Sequence, residues 1–154
     1  METFHGREEL VASLGRELGP GEWLEITQDR IDGFADVTGD HQWIHVDPGR
    51  AASGPFGATV AHGFLTLSLV PLLLDGLRRI EGTRMGVNYG LERVRFPSAV
   101  RSGTRVRARS TLVDAIDVGD GGDGAVQLVT RVTIEVQGSA KPACVADLVT
   151  RAYF

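Results

Sequence analysis

An α+β fold is predicted for this chain of 154 residues on three observations. The run from Val60 to Leu74 is of helical length and almost without a polar stripe, as a buried helix is. From Met85 onward the hydrophobic period changes from that of a helix to two. The helical segments precede the strands instead of alternating with them, which favours an antiparallel sheet with helices on one side.

The composition bounds the rest. The length suits one domain, and 42% hydrophobic with 23% charged residues is an ordinary globular balance. A net charge of -4 argues against a nucleic-acid partner, which would want a basic face. Lys141 is the only lysine, so nearly all the basic residues are Arg; a GC-rich genome accounts for that bias as well as phosphate binding does. Cys144 is the only cysteine, so no intrachain disulfide forms and a reducing compartment fits. Residues 1–18 include acidic side chains and lack the apolar core of a signal peptide. The run Phe64–Leu74 is short of the roughly 20 residues that span a bilayer. A cytoplasmic protein with no membrane association is the expectation.

Along the chain, a first helix is expected over about residues 5–18, with Leu10, Val11, Leu14 and Leu18 on one face, ended by Gly19-Pro20-Gly21. Trp23–Ile26 reads as a short strand. Thr27 reads as the N-cap of a helix carrying Ile31, Phe34 and Ala35, closed by Gly39 in the left-handed conformation. That places Asp40 just past a helix end, at the start of a loop over about residues 39–47. Asp47 and Pro48 open a short helix through Ala52. After the breaker-rich Ser53–Gly57 comes the long central helix, about 62–77, with Pro71 expected to kink it. Strands follow from 85 to 153, the clearest being Val126, Leu128, Thr130, Val132, Ile134, Val136 in alternation. Asp117–Gly124 reads as a hairpin connection; its aspartates lack the closing Glu and liganding pattern of a calcium loop, so turn chemistry explains them.

Asp40 and His45 are the candidate catalytic pair. A carboxylate and an imidazole brought together by one loop can hold a water between them, one taking its proton while the other returns a proton to the product. A helix C-cap followed by a surface histidine would give the same spacing. What raises this pair is its company: the loop leads on to His62-Gly63, at the head of the apolar helix. The first N–H groups of a helix lack internal partners, and Gly63 would let a carbonyl oxygen approach them as in an oxyanion hole; close packing is the alternative reason for this glycine. His62 is read as a structural histidine bonding loop backbone. His41 and His45 have the i,i+4 spacing of a helical zinc pair, but Gly39 has already ended the helix and no third ligand sits at a telling spacing, so no metal is expected. Trp43 and Phe56 could line a pocket or be core. Thr66 and Ser68 should bond back to the helix backbone, and Cys144 should be a small core hydrophobe.

Gly39-Asp40-x4-His45 followed by Ala61-His62-Gly63-Phe64 resembles the MaoC-like (R)-specific enoyl-CoA hydratases. The likeness runs from about Trp23 to Tyr153 and is close over Ile26–Phe64. It is closest to small stand-alone actinobacterial members, which share the Gly39–Asp47 and Asn88-Tyr89-Gly90 segments. Many relatives read Asp-x-Asn-Pro-x-His where this chain has Gln42-Trp43, which leaves the acid and imidazole in place and alters the pocket wall. The resemblance implies a single hot-dog fold, a central helix wrapped by a curved antiparallel sheet. It implies Asp40 and His45 holding the catalytic water, the Gly63 amide donating to the thioester oxygen, and hydration of a trans-2-enoyl-CoA to the (R)-3-hydroxyacyl product. His45 would act as base toward water and Asp40 as acid toward the α-carbon, although coupled groups can exchange these roles. No cofactor is implied, because the thioester itself acidifies the α-carbon. A homodimer is implied, with the pocket near the subunit boundary; an uncovered strand edge and apolar rim independently favour such a partner. Arg78, Arg79 and Arg84 are possible CoA-diphosphate ligands, and none is assigned. The rival readings are a 3-hydroxyacyl-carrier-protein dehydratase, a hot-dog thioesterase, for which Phe64–Leu74 lacks the needed helix carboxylate, and a non-catalytic acyl-CoA-binding module, which would have no need of Asp40 and His45 together.

Overall fold

The computed structural model describes residues 1–119 and 124–154. The chain opens with a short strand, β1 (Glu2–Phe4), a short helix, α1 (Arg7–Ala12), and a two-residue strand, β2 (Glu17–Leu18). The single N-terminal helix expected over 5–18 is therefore replaced by strand, helix and strand. Tertiary pairing overrides local pattern here. β1 lies parallel to β4 (Arg78–Ile80), and β2 pairs antiparallel with Thr111 and Ser110. Phe4 and Leu10 are thereby buried against Leu112, Val126 and Leu128.

β3 (Leu24–Ile26) leads into α2 (Gln28–Thr38). Thr27 caps α2, its hydroxyl accepting from the Arg30 amide at 3.3 Å, and Gly39 closes it at φ 77°. Two short helices follow, α3 (Trp43–Val46) and α4 (Pro48–Ala52), the latter capped by Asp47. The central helical region, expected as one kinked helix over 62–77, is two helices, α5 (Gly63–Ser68) and α6 (Val70–Asp75). Pro71 has no N–H to donate to the preceding turn and its ring crowds that carbonyl. The chain tightens just before it, with the Leu69 amide shared between Leu65 O at 3.2 Å and Thr66 O at 3.3 Å.

Four long strands complete the fold: β5 (Met85–Arg95), β6 (Thr104–Asp117), β7 (Ala125–Val136) and β8 (Cys144–Tyr153). They form an antiparallel sheet in the order β2-β6-β7-β8-β5, with β3 also on β6. The turn that would join β6 to β7 includes residues 120–123, outside the described residues, so the hairpin and calcium readings of Asp117–Gly124 are not addressed there. The main core lies where α5 and α6 meet the sheet: Leu65, Leu69, Leu73 and Leu74 pack on Val106, Val132, Ile134 and Ala146. The helices are not buried all round, as their composition suggested. Phe64 is 69% exposed and Leu72 53%, one apolar face that this single chain leaves uncovered. Among the described residues no helix is long and apolar enough to cross a membrane.

Candidate active site

The end of α2 fixes where the site begins. Gly39 turns the chain into the left-handed region, which a glycine adopts without steric cost, and the exposed Asp40 emerges beside two buried imidazoles. His45, on α3, is 7% exposed. His62 stands just before α5. The two rings stack with centroids 3.7 Å apart at 23°, and Phe34 from α2 packs on the outer side of His62, its ring centre 5.0 Å away.

Hydrogen bonds set the protons of this stack. His45 Nδ1 donates to the Val60 carbonyl at 2.6 Å, because a carbonyl can only accept. That fixes the tautomer and leaves Nε2 with a free lone pair. His62 Nε2 donates to the Asp40 main-chain carbonyl at 2.9 Å and lies 3.9 Å from its carboxylate. His62 thus ties the Asp40 backbone in place, as a structural histidine should. Its Nδ1 is buried and unpartnered among the described residues. Burial pulls the His45 pKa below the ordinary 6.5, with His62 adding to the fall and the Val60 carbonyl and Asp40 opposing it. His45 is therefore neutral near pH 7 and able to accept a proton.

A cavity of about 370 Å³ adjoins the stack, with His45, Gly63, Thr66, Phe56 and Phe96 among its walls. Asp40 is not one of its walls; it stands beside the imidazoles. Gly63 is the first residue of α5, and a Cβ placed on it would meet the Phe96 ring at 3.0 Å. That contact meets the close-packing reason for this glycine, which also lines the cavity.

Asp40, His45 and His62 each offer an atom within 4.8 Å of the others, a grouping that could in principle hold a metal ion. Its geometry suits protons better. One nitrogen of each ring is already committed to a carbonyl, which leaves each imidazole a single nitrogen for other work. His41 does not join His45 as a zinc pair. It turns to Asp36 at 2.9 Å, and that hydrogen bond raises its pKa.

Several residues act here that sequence patterns did not mark. Gln28 donates to the His45 carbonyl at 2.7 Å and accepts from the Thr59 hydroxyl, clamping the two ends of the site. Phe34, Phe96 and the Val60 carbonyl contribute by position alone. Their only sequence signal is proximity to the motif residues. Of the candidate pocket residues, Phe56 lines the cavity, whereas Trp43 packs on Gly54 and under Arg50. Ser68 and Thr66 bond back to the α5 backbone. Cys144 is buried, its thiol pushed up to about 11 by desolvation.

Comparison with known proteins adds an independent line. Residues 9–134 match the family described as MaoC like domain. The chain is 52% identical over 151 residues to the 3-hydroxyacyl-thioester dehydratase Z of Mycobacterium tuberculosis, covering 98% of each. Among solved structures, a MaoC-like dehydratase from Rhodospirillum rubrum superposes with a TM-score of 0.72 at 16% identity, over 91% of this chain and 92% of that one. An R-hydratase from Pseudomonas aeruginosa does so with a TM-score of 0.67 at 21% identity, over 90% and 81%. At these identities the two structures speak to the hot-dog fold alone.

Proposed function

The chain belongs to the MaoC-like dehydratase family, and from that premise we propose that it is an (R)-specific enoyl-CoA hydratase, working reversibly on the thioester of a 3-hydroxyacyl or trans-2-enoyl chain. One observation carries the reading. The Val60 carbonyl holds His45 in the tautomer whose free Nε2 can act as a base, with Asp40 alongside and Gly63 on the adjoining cavity wall.

In the hydration direction His45 Nε2 takes a proton from water as the oxygen bonds to C3 of the enoyl thioester. Electron density moves to the thioester oxygen, which the Gly63 N–H receives. C2 then takes a proton by way of Asp40. The proton removed from water is the one delivered to carbon, so the Asp40–His45 pair ends as it began. The lowered pKa of His45 keeps the base in its neutral form at working pH.

The subunit arrangement follows from the same fold. β5 is an edge of the sheet and exposes Met85, Val87 and Tyr89, while the helices expose Phe64 and Leu72. Exposed apolar side chains on an unpaired strand edge and on the helices are what a second copy would cover, and we assign a homodimer on that basis.

The test is loss of enoyl absorbance with crotonyl-CoA, the product being coupled to dehydrogenases specific for the (R)- or (S)-3-hydroxyacyl isomer. Wild type should give the (R) product, and Asp40→Asn and His45→Gln should each fall by roughly 100-fold or more. Absence of turnover across short and long enoyl thioesters, with acyl-CoA still raising the Tm, would replace the hydratase with an acyl-CoA-binding module. The relative named as a 3-hydroxyacyl-thioester dehydratase gives the reverse direction as the second reading, and a carrier-protein thioester is run beside the CoA substrate in the same assay.

A further inference from the structure

A polar seam crosses the inner face of the sheet between its two apolar cores. Ser110 pairs with Val132 and Leu112 with Thr130, so Ser110 and Thr130 are diagonal neighbours. Thr130 pairs with Leu148, two residues before Thr150, and Thr150 pairs in turn with Asn88 on β5. Each step is a diagonal or direct cross-strand contact, and the alternation of the strands keeps all four residues on one face. On one side of this line lie Val132, Ile134 and Ala146; on the other lie Val126, Leu128 and Ala152. Ser110 is 2% exposed and Thr130 0%, and the Ser110 hydroxyl has no hydrogen-bond partner among the described residues.

Arg78 lies over this seam. Its Nη2 donates to Thr130 Oγ1 at a long 3.4 Å, and among the described residues it pairs with no carboxylate. Desolvation disfavours its charge, yet a guanidinium stays protonated. The contrast with the outer face is plain, where Arg107 and Arg109 share Glu135 and Arg131 holds Asp147. A desolvated cation without a counter-ion is unfavourable unless an anion joins it.

Asn88 and Leu148 wall a groove of about 380 Å³ between α5–α6 and β5, with Leu67, Val70 and Leu91; Arg78 and Thr130 are not among its walls, but Thr130 is the cross-strand partner of the wall residue Leu148. Gly63 opens the same helical pair, and the seven residues from there to Val70 span about 10 Å. A chain laid along the groove from that end would pass apolar walls and reach Leu148, whose partner Thr130 accepts from Arg78. We propose that this groove receives the distal part of the acyl chain and that Arg78, with Ser110 and Thr130, binds a carboxylate at its far end. The substrate class is an ω-carboxyacyl thioester. This rests on the thioester reading of the site above.

The experiment compares kcat/KM for matched 2-enoyl-CoAs, roughly six to twelve carbons long to bracket the ~10 Å span, ending in methyl or in carboxylate. It is run on wild type, Arg78→Met and Arg78→Lys, and the readout is the carboxylate-to-methyl ratio within each protein, so a general loss of activity cancels. Wild type should favour the carboxylate end by at least about 10-fold at one chain length. Arg78→Met should bring that ratio to one or below, and Arg78→Lys, which keeps the charge without the planar fork, should fall between. Arg78→Met should melt no lower than wild type, since a bare desolvated charge has been removed. A wild-type preference for methyl at every length, or a ratio indifferent to Arg78→Met, overturns the proposal. So does stabilisation by free monocarboxylic fatty acids through Arg78 with no preference among the thioesters, which would make the ligand a free carboxylate. If no thioester, crotonyl-CoA included, is turned over, the hydratase reading fails separately. Thermal stabilisation by a saturated ω-carboxyacyl-CoA, present in wild type and lost in Arg78→Met, then decides for this site, and its absence decides against.

Discussion

At the residue level, the protonation of His45 is where structure becomes reaction rate. Its folded pKa lies below 6.5, chiefly through burial. The acid limb of kcat/KM should therefore have its midpoint below pH 6.5, so that more than half of the plateau activity remains at that pH. His41, whose pKa the Asp36 hydrogen bond raises, is outside the site, and His41→Gln should leave that limb unmoved. The same depression has a stability consequence with a definite sign. Below pH 6.5 the unfolded chain binds the His45 proton before the folded one does. Stability from neutral His45 is then full above 6.5 and declines as pH falls toward the folded pKa, levelling beyond it. His45→Gln should flatten that part of a plot of denaturation midpoint against pH. Gly63 gives a second test. Gly63→Ala retains the amide but adds a Cβ 3.0 Å from Phe96, and kcat/KM should fall by roughly 10- to 100-fold. Adding Phe96→Leu should restore the Tm without restoring turnover, because the methyl group still stands where the thioester oxygen approaches. Recovery of both would reduce Gly63 to a packing residue.

Among the elements, α2 shows how a local signal sets a catalytic position. Its two ends were legible from single residues: a threonine with the cap geometry and a glycine with the closing turn. Removing either hydrogen-bonding or backbone freedom should cost about 1 kcal/mol, by Thr27→Ala through the lost cap and by Gly39→Ala through the left-handed strain. Urea denaturation should show similar losses for both. Only Gly39→Ala should also lower kcat, since Asp40 is the next residue. Signals of this kind, confined to a few neighbouring residues, were readable in the sequence, as were the period-two strands; the loop expected over about 39–47 is instead interrupted by α3 (Trp43–Val46), which carries His45. What was not readable depends on distant partners. Residues Glu2–Phe4 become a strand because Arg78–Ile80 lie beside them, and no feature of the N-terminal segment says so. Gln28, Phe34 and Phe96 reach the site only through folding. The polarity of Ser110 and Thr130 was hidden inside an alternation that looked uniformly core. Pro71 was visible, but whether it would bend a helix or divide it depended on the packing of Leu69 and Leu73 below.

For the whole molecule, the distribution of exposed apolar side chains carries the last prediction. β5 ends the sheet order, so one side of it presents unpaired backbone groups, and natural proteins protect such an edge with charge, proline or a partner. This edge carries Glu92, Arg93 and Arg95 in its second half, but its first half places Met85, Val87 and Tyr89 on the surface, and α5–α6 adds Phe64 and Leu72. The composition of α5–α6, apolar nearly all round, makes sense if its open face is buried by a second copy rather than by its own sheet. The mass in solution should then be twice 16.5 kDa by sedimentation equilibrium. Val87→Lys combined with Leu72→Lys puts a charge on the strand edge and another on the helices and should yield the single chain. Turnover should fall with it, because Phe64 packs edge-on against Phe96 at 6.2 Å and Phe96 walls the cavity beside His45. Uncovering that corner admits water to a site whose electrostatics depend on excluding it. A wild-type protein that sediments as one chain at micromolar concentration, or a charged variant that is monomeric and fully active, would show that the catalytic unit is the single chain and that this apolar face serves something other than self-association.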